Sequence, residues 1–213
     1  MKLLWNLAWI AIFFPLQAFA DPGLDEAIVR LQHEWAIVNY RTPAEKQDAA
    51  FDTLAGMAQD VVQRYPGKAE PMVWKAIILT SEAKVKGGFS ALGLARNARN
   101  LLLEAERIDP TALHGSIYTS LGSLYYKVPG WPIGFGDRKK AEKYLLRAME
   151  LNPEGIDANY FYGDLMLQEG NYDLAIEYLN KALSAPARPG REIADRGRRE
   201  EIQVDLKRAQ ESR

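Results

Sequence analysis

Few residues in the chain are of the types that make or break covalent bonds. Its 213 residues include 2 histidines and no cysteine. An imidazole titrates near neutral pH and can carry a proton or bind a metal. His33 and His114 stand far apart, however, and neither has the closely spaced histidine or acid that a metal site needs. Both read as surface or boundary residues. No thiolate nucleophile is available, no glycine-rich phosphate loop precedes a helix, and no serine sits in a nucleophile elbow. The 28 acidic residues carry no signal by themselves, since helices bear carboxylates on their exposed faces routinely. The expectation is a protein that is not an enzyme, with no catalytic residue, no metal site and no cofactor.

Residues Lys127 to Asp137, KVPGWPIGFGD, are the local exception. Prolines and glycines restrict the shape of this segment, while Trp131, Ile133 and Phe135 offer apolar surface. Such side chains either fold back to plug a groove between helices or contact a ligand or partner as a gate. Asp137 is placed to cap the following helix by accepting from its first N–H groups.

The elements around this segment are helical. Leu24, Ile28, Leu31, Trp35 and Val38 recur at steps of four and three, as one helix face does, and Pro43 ends the run. Phe51, Leu54, Ala58, Val61 and Tyr65 repeat the pattern up to Pro66-Gly67, a turn signal. No segment alternates as a strand would, so the fold class is all-α.

The pattern also repeats over longer distances. Ala98, Leu102, Ala105 and Pro110 are spaced four, three and five apart, and so are Ala141, Leu145, Ala148 and Pro153. Ala175, Leu179 and Ala182 follow the spacing again, with Pro186 one residue early. Upstream lie Trp74, Gly122 and Gly163, at points of expected close contact. Two helices approach closely only where side chains are small, and proline then ends the second helix. One such pair cannot bury its own face, so neighbours must stack.

These residues resemble the tetratricopeptide repeat, a helix–turn–helix unit of about 34 residues. Residues 156–189 match its motif at Gly163, Gly170, Tyr172, Ala175, Leu179 and Ala182, departing at Asn159 and Ala187. The unit from Gly115 matches if about seven extra residues sit in its internal turn, and the unit from Pro71 if about eight lie near Lys86-Gly87-Gly88. The resemblance implies a right-handed superhelix of antiparallel helix pairs over 24–66, 70–110, 112–153 and 156–187. A C-terminal capping helix and tail follow over 188–213, with five arginines between Arg188 and Arg199 interleaved with acids, read as a solvated face. In the loop, Pro129, Phe135, Gly136, Asp137 and Ala141 also resemble, more narrowly, the T-component (TatT-like) proteins of tripartite periplasmic transporters.

The family's groove positions, carried over residue by residue, imply a partner-binding face of Lys75, Glu82, Thr119, Ser123, Tyr126, Tyr160, Asp164 and Gln168. Hydroxyls, amides and aromatics of this kind suit an extended protein or peptide segment. A grip on a chaperone's C-terminal carboxylate is not implied, because Leu79 stands where asparagine would be needed. On this reading Tyr160→Ala and Asp164→Ala weaken partner binding while the melting temperature stays nearly unchanged.

Residues 1–20 read as a leader. Lys2 precedes an apolar run from Leu3 to Phe14, and Ala18-Phe19-Ala20 offers a small-x-small cleavage pattern. The run is shorter than the roughly 20 residues that span a bilayer. Cleavage predicts a periplasmic protein, an envelope adaptor or an accessory of a solute transporter, with no integral membrane segment left. The charge is near balance, 27 basic against 28 acidic residues, which leaves no electrostatic footprint for nucleic acid.

Overall fold

The computed structural model describes residues 22–213, so the expected leader lies outside the described residues. These residues form nine α-helices: α1 Pro22–Tyr40, α2 Ala44–Arg64, α3 Ala69–Lys86, α4 Gly88–Ile108, α5 Ser116–Lys127, α6 Arg138–Leu151, α7 Ile156–Gln168, α8 Tyr172–Leu183 and α9 Glu192–Glu211. A short 3-10 turn, Ala112–Gly115, leads into α5. Among the described residues the only β geometry is an isolated bridge between Gly130 and Gly136. No described helix is long and apolar enough to cross a membrane.

The small residues pack as expected of them. A Cβ on Gly122 would meet Leu145 Cγ at 2.5 Å, and one on Gly163 would meet Leu179 Cγ at 2.8 Å. Helices α5 and α6, and α7 and α8, therefore nest at a glycine, with a leucine of the second helix seated on it. Ala98, Ala105, Ala141, Ala148, Ala175 and Ala182 are fully buried, as are Leu102, Leu145 and Leu179. Asp137 accepts from Lys140 N at 3.1 Å and caps α6.

Two features differ from the sequence expectation. The extra residues near Lys86-Gly87-Gly88 do not form a loop. They lengthen both helices, to 18 residues in α3 and 21 in α4, joined at Gly87 and Gly88, whose positive φ angles let the chain reverse without strain. The tail is also more than an end cap. Helix α9 packs on α7 and α8, as a cap does, but it packs on α1 as well.

The odd-numbered helices thus form a closed circuit. Helix α1 touches α3, α3 touches α5, α5 touches α7, α7 touches α9, and α9 returns to α1. Trp35 fixes the α1–α3 step, its Nε1 donating to Ser81 Oγ at 2.9 Å and its ring 6.0 Å from that of Trp74. Gly197 fixes the α9–α1 step, because any side chain there would overlap the Tyr40 ring. The stacked array closes into a ring.

A larger side chain at a helix crossing has nowhere to go in such packing. Ala141→Leu is expected to cost about 1–3 kcal/mol, read as a lower melting temperature and denaturation midpoint.

Candidate functional site

The ring surrounds a half-open cavity of about 710 Å³ lined from α1, α3, α4, α5, the 128–137 segment, α7 and α9. Its α4 and loop side is apolar, with Leu92, Ala95, Val128, Pro129 and Ile133. Its α9 side is charged, with Arg191, Arg198 and Glu201, and Asp157 and Tyr160 of α7 stand next to these.

The charged side is held by a continuous network. Arg198 Nε donates to Asp157 Oδ1 at 2.8 Å and its Nη1 to Glu201 Oε2 at 2.5 Å. Arg188 Nη1 donates to the other Asp157 oxygen at 2.7 Å, and its Nε reaches Asp195 Oδ1 at 2.8 Å. Arg198 also lies over the rings of Tyr160 and Phe161, at 4.4 and 4.8 Å, and Tyr40 donates to Glu201 at 3.3 Å. Burial alone would raise the Asp157 pKa, but Arg198 and Arg188 more than offset it and hold the carboxyl well below the usual range. This network corrects the reading of the arginine cluster as a solvated face, since Arg198 is 8% exposed. A guanidinium tolerates burial when its planar donors find acceptors, as Arg198 Nε and Nη1 do here.

A second network lies between α5 and α7. Asp164 accepts from Tyr126 Oη at 2.7 Å and from Gln168 Nε2 at 3.0 Å, and pairs with Lys127 at 3.1 Å. Burial opposes the charged form of Asp164, but Lys127, Tyr126 and Gln168 outweigh it and lower the pKa. Tyr160 donates across to Asp205 of α9 at 3.2 Å.

The structure distributes the sequence-predicted residues unevenly. Thr119, Ser123 and Tyr160 line the cavity. Tyr126, Asp164 and Gln168 bond to one another behind that lining. Lys75 and Glu82 do not face the cavity, which corrects their placement in the groove. Lys75 donates to Gln59 of α2, and Glu82 lies buried beside Lys86 and Asp52, which with its burial raises its pKa. The Trp74–Trp35 contact rotates α3 so that Ile77, Ser81 and Lys84 face the cavity and the Lys75 face turns to α2. Tyr160 is also corrected in character. At 6% exposure, bonded to Asp205 and covered by Arg198, it belongs to the closure between α7 and α9, so truncating it lowers stability as well as altering the cavity.

The 128–137 segment divides between the two expectations, with Val128 and Phe135 packed against the core and Trp131 and Ile133 turned out. Trp131 is 90% exposed and Ile133 lines the cavity edge, while Phe135 folds back on Tyr125 with Arg99 Cζ 4.4 Å from its ring. His33 and His114 are both exposed. Sequence reasoning missed Tyr40, Asp157, Arg191, Arg198 and Glu201. The available signal was Gly197, an unfavourable residue in mid-helix unless another element approaches there.

Comparison with known proteins fits this architecture. Residues 133–191 match the tetratricopeptide repeat family. A thermophilic tetratricopeptide repeat protein of Thermus thermophilus superposes over 85% of this chain and 91% of its own, with a TM-score of 0.56 at 18% identity. The fold is a helical repeat of the tetratricopeptide type, and residues 133–191 carry the family match. The Sol locus transcriptional repressor of Clostridium acetobutylicum is 35% identical over 68 residues, 32% of this chain; the repeat protein spans only 19% of that repressor's length. YrrB, a repeat protein with an unusual peptide-binding site, aligns over 89% of this chain and 92% of its own at 16% identity. Its TM-score is 0.40. The tetratricopeptide match takes in α6 to α8, and the ring closure by α9 follows the last matched repeat.

An acid with a depressed folded-state pKa stabilises the fold above its unfolded value, about 4, and that contribution is lost as pH falls toward the folded value. The melting temperature is therefore expected to hold from neutral pH to about 5 and to drop below about 4. Asp157→Asn is expected to cost on the order of 2 kcal/mol at pH 7, less than a fully buried pair would because the aspartate keeps 31% side-chain exposure. The variant should also flatten the acid limb in thermal melts from about pH 3 to 7, with Asp164 retaining part of the slope.

Proposed function

We propose that the protein is a non-catalytic binding adaptor that takes a protein or peptide partner on its tetratricopeptide scaffold, exported and acting in envelope assembly or maintenance. The observation that carries this reading is the rim of the cavity. Phe89 and Ile133 line the cavity yet are 91% and 59% exposed, and Trp131, 90% exposed, stands two residues from Ile133 on the same segment. Large apolar side chains held out beside a concave site are the anchors that protein interfaces use. The polar groups that orient a bound segment lie within, among them Thr119 and Ser123.

The closed ring favours a second reading, a ligand-binding accessory of a periplasmic solute transporter. A cavity of about 710 Å³, mainly apolar with a few placed polar groups, falls in the range of small-molecule sites. The two readings share one scaffold and differ in what enters it.

A photo-crosslinking side chain at position 89, introduced in intact cells, is expected to yield one discrete protein adduct in the periplasmic fraction. The Trp131→Ser/Ile133→Ser double variant should lose most of that adduct with its melting temperature within about 1 °C of the parent, since exposed substitutions cost little. An adduct unaffected by the double variant, or no adduct, would count against the adaptor reading. A mature N-terminus other than Asp21 would count against the expected leader.

A further inference from the structure

The lengthened parts of the array converge on the cavity. Ala83 and Lys84 come from the last turn of the extended α3, Phe89 and Leu92 from the first turns of the extended α4, and Pro129 and Ile133 from the inserted segment. Helix pairing does not require any of these additions, because the shorter α7–α8 pair nests without them. Their common result is a deeper apolar wall around one volume.

The α9 side of that volume holds N–H donors without acceptors among the described residues. Arg188 and Arg198 are paired with Asp157, Asp195 and Glu201, and Lys127 with Asp164. Arg191 lines the cavity, is half-buried and forms no ion pair among the described residues. Its Cζ sits 5.1 Å from the centre of the Trp74 ring. Arg191 Nε and Trp74 Nε1 are both buried N–H donors with no acceptor among the described residues. Buried donors left without acceptors are costly. Burial, and then the neighbouring Arg188, push the Arg191 pKa below the usual arginine value against the pull of Asp157 and Asp195. A guanidinium in this setting calls for one anion with two acceptor oxygens in a plane.

We propose that the lumen of the ring binds an alkyl monocarboxylate, its carboxylate against Arg191 and its hydrocarbon chain along the wall made by α4 and the 128–137 segment. The carboxylate supplies the acceptor oxygens that Arg191 Nε and Trp74 Nε1 lack, and the chain buries itself against Leu92, Ala95 and Val128. This inference goes beyond the adaptor reading and does not need it, because the crosslinking variants lie on the exposed rim and the carboxylate site lies inside.

The test is calorimetric titration of the full mature chain with octanoate, decanoate and laurate below their micelle concentrations. Dodecanol and dodecyltrimethylammonium serve as matched probes with a neutral and a cationic head. Saturable one-to-one binding is expected, roughly four-fold tighter per added methylene until the cavity is filled. Laurate should exceed dodecanol by about tenfold or more, and Arg191→Gln should remove that difference. Leu92→Glu, at a half-exposed wall position, should weaken laurate while leaving the melting temperature close to that of the parent. Equal affinity for laurate and dodecanol in the unmodified protein would overturn the proposal, as would no saturable laurate binding. Tighter binding of an apolar peptide with a free C-terminus than of laurate would overturn it as well, giving the cavity to a polypeptide end.

Discussion

The architecture depends on one contact, the seating of α9 against α1. Gly197 lies flush with the Tyr40 ring, and Arg198 beside it turns inward to Asp157 and Glu201. Neither half works alone. A guanidinium enters the interior only when carboxylates and ring faces replace the water it gives up, and that exchange requires α9 to be within reach of α7 and α1. The glycine removes the side chain that would hold the helices apart. Without this contact the odd-numbered helices would line an open concave face, and with it they surround a volume.

Much of the remaining structure follows from closure of the ring. Tyr160 becomes a tie between α7 and Asp205 of α9, and the Tyr126–Asp164–Lys127 network becomes a buried brace between α5 and α7. The lengthened α3 and α4 and the 128–137 segment raise the wall on the apolar side. A tetratricopeptide array left open presents its inner helices to a long segment of a partner. Closing the same array restricts what can enter and separates two surfaces, an exposed aromatic rim and a mixed charged and apolar interior.

The parts legible in the sequence were those set by local sterics. Gly122 and Gly163, and the alanines spaced four and three from the buried leucines, announce a helix crossing because no larger residue fits there. Asp137 announces a cap for the same reason, its side chain being matched to the N–H groups of a first turn. The orientation of α3 was not legible, since the Trp35–Trp74 contact that turns Lys75 toward α2 joins two helices that no spacing rule relates. The role of α9 was hidden by its composition. Interleaved arginines and acids look alike whether they face water or one another, and only their partners on α1 and α7 distinguish the two. Gly197 carried the information, as a residue that an isolated charged helix would avoid.

That glycine also supplies the most direct measurement of ring closure, the change in unfolding free energy on Gly197→Ala. In a cap helix facing solvent, alanine gains about 1 kcal/mol over glycine in mid-helix. Seated on Tyr40, the added methyl must overlap the ring, so the closed ring predicts a loss of stability in denaturant unfolding. A gain close to the helix-propensity value would show α9 standing clear of α1 and would contradict the closed ring.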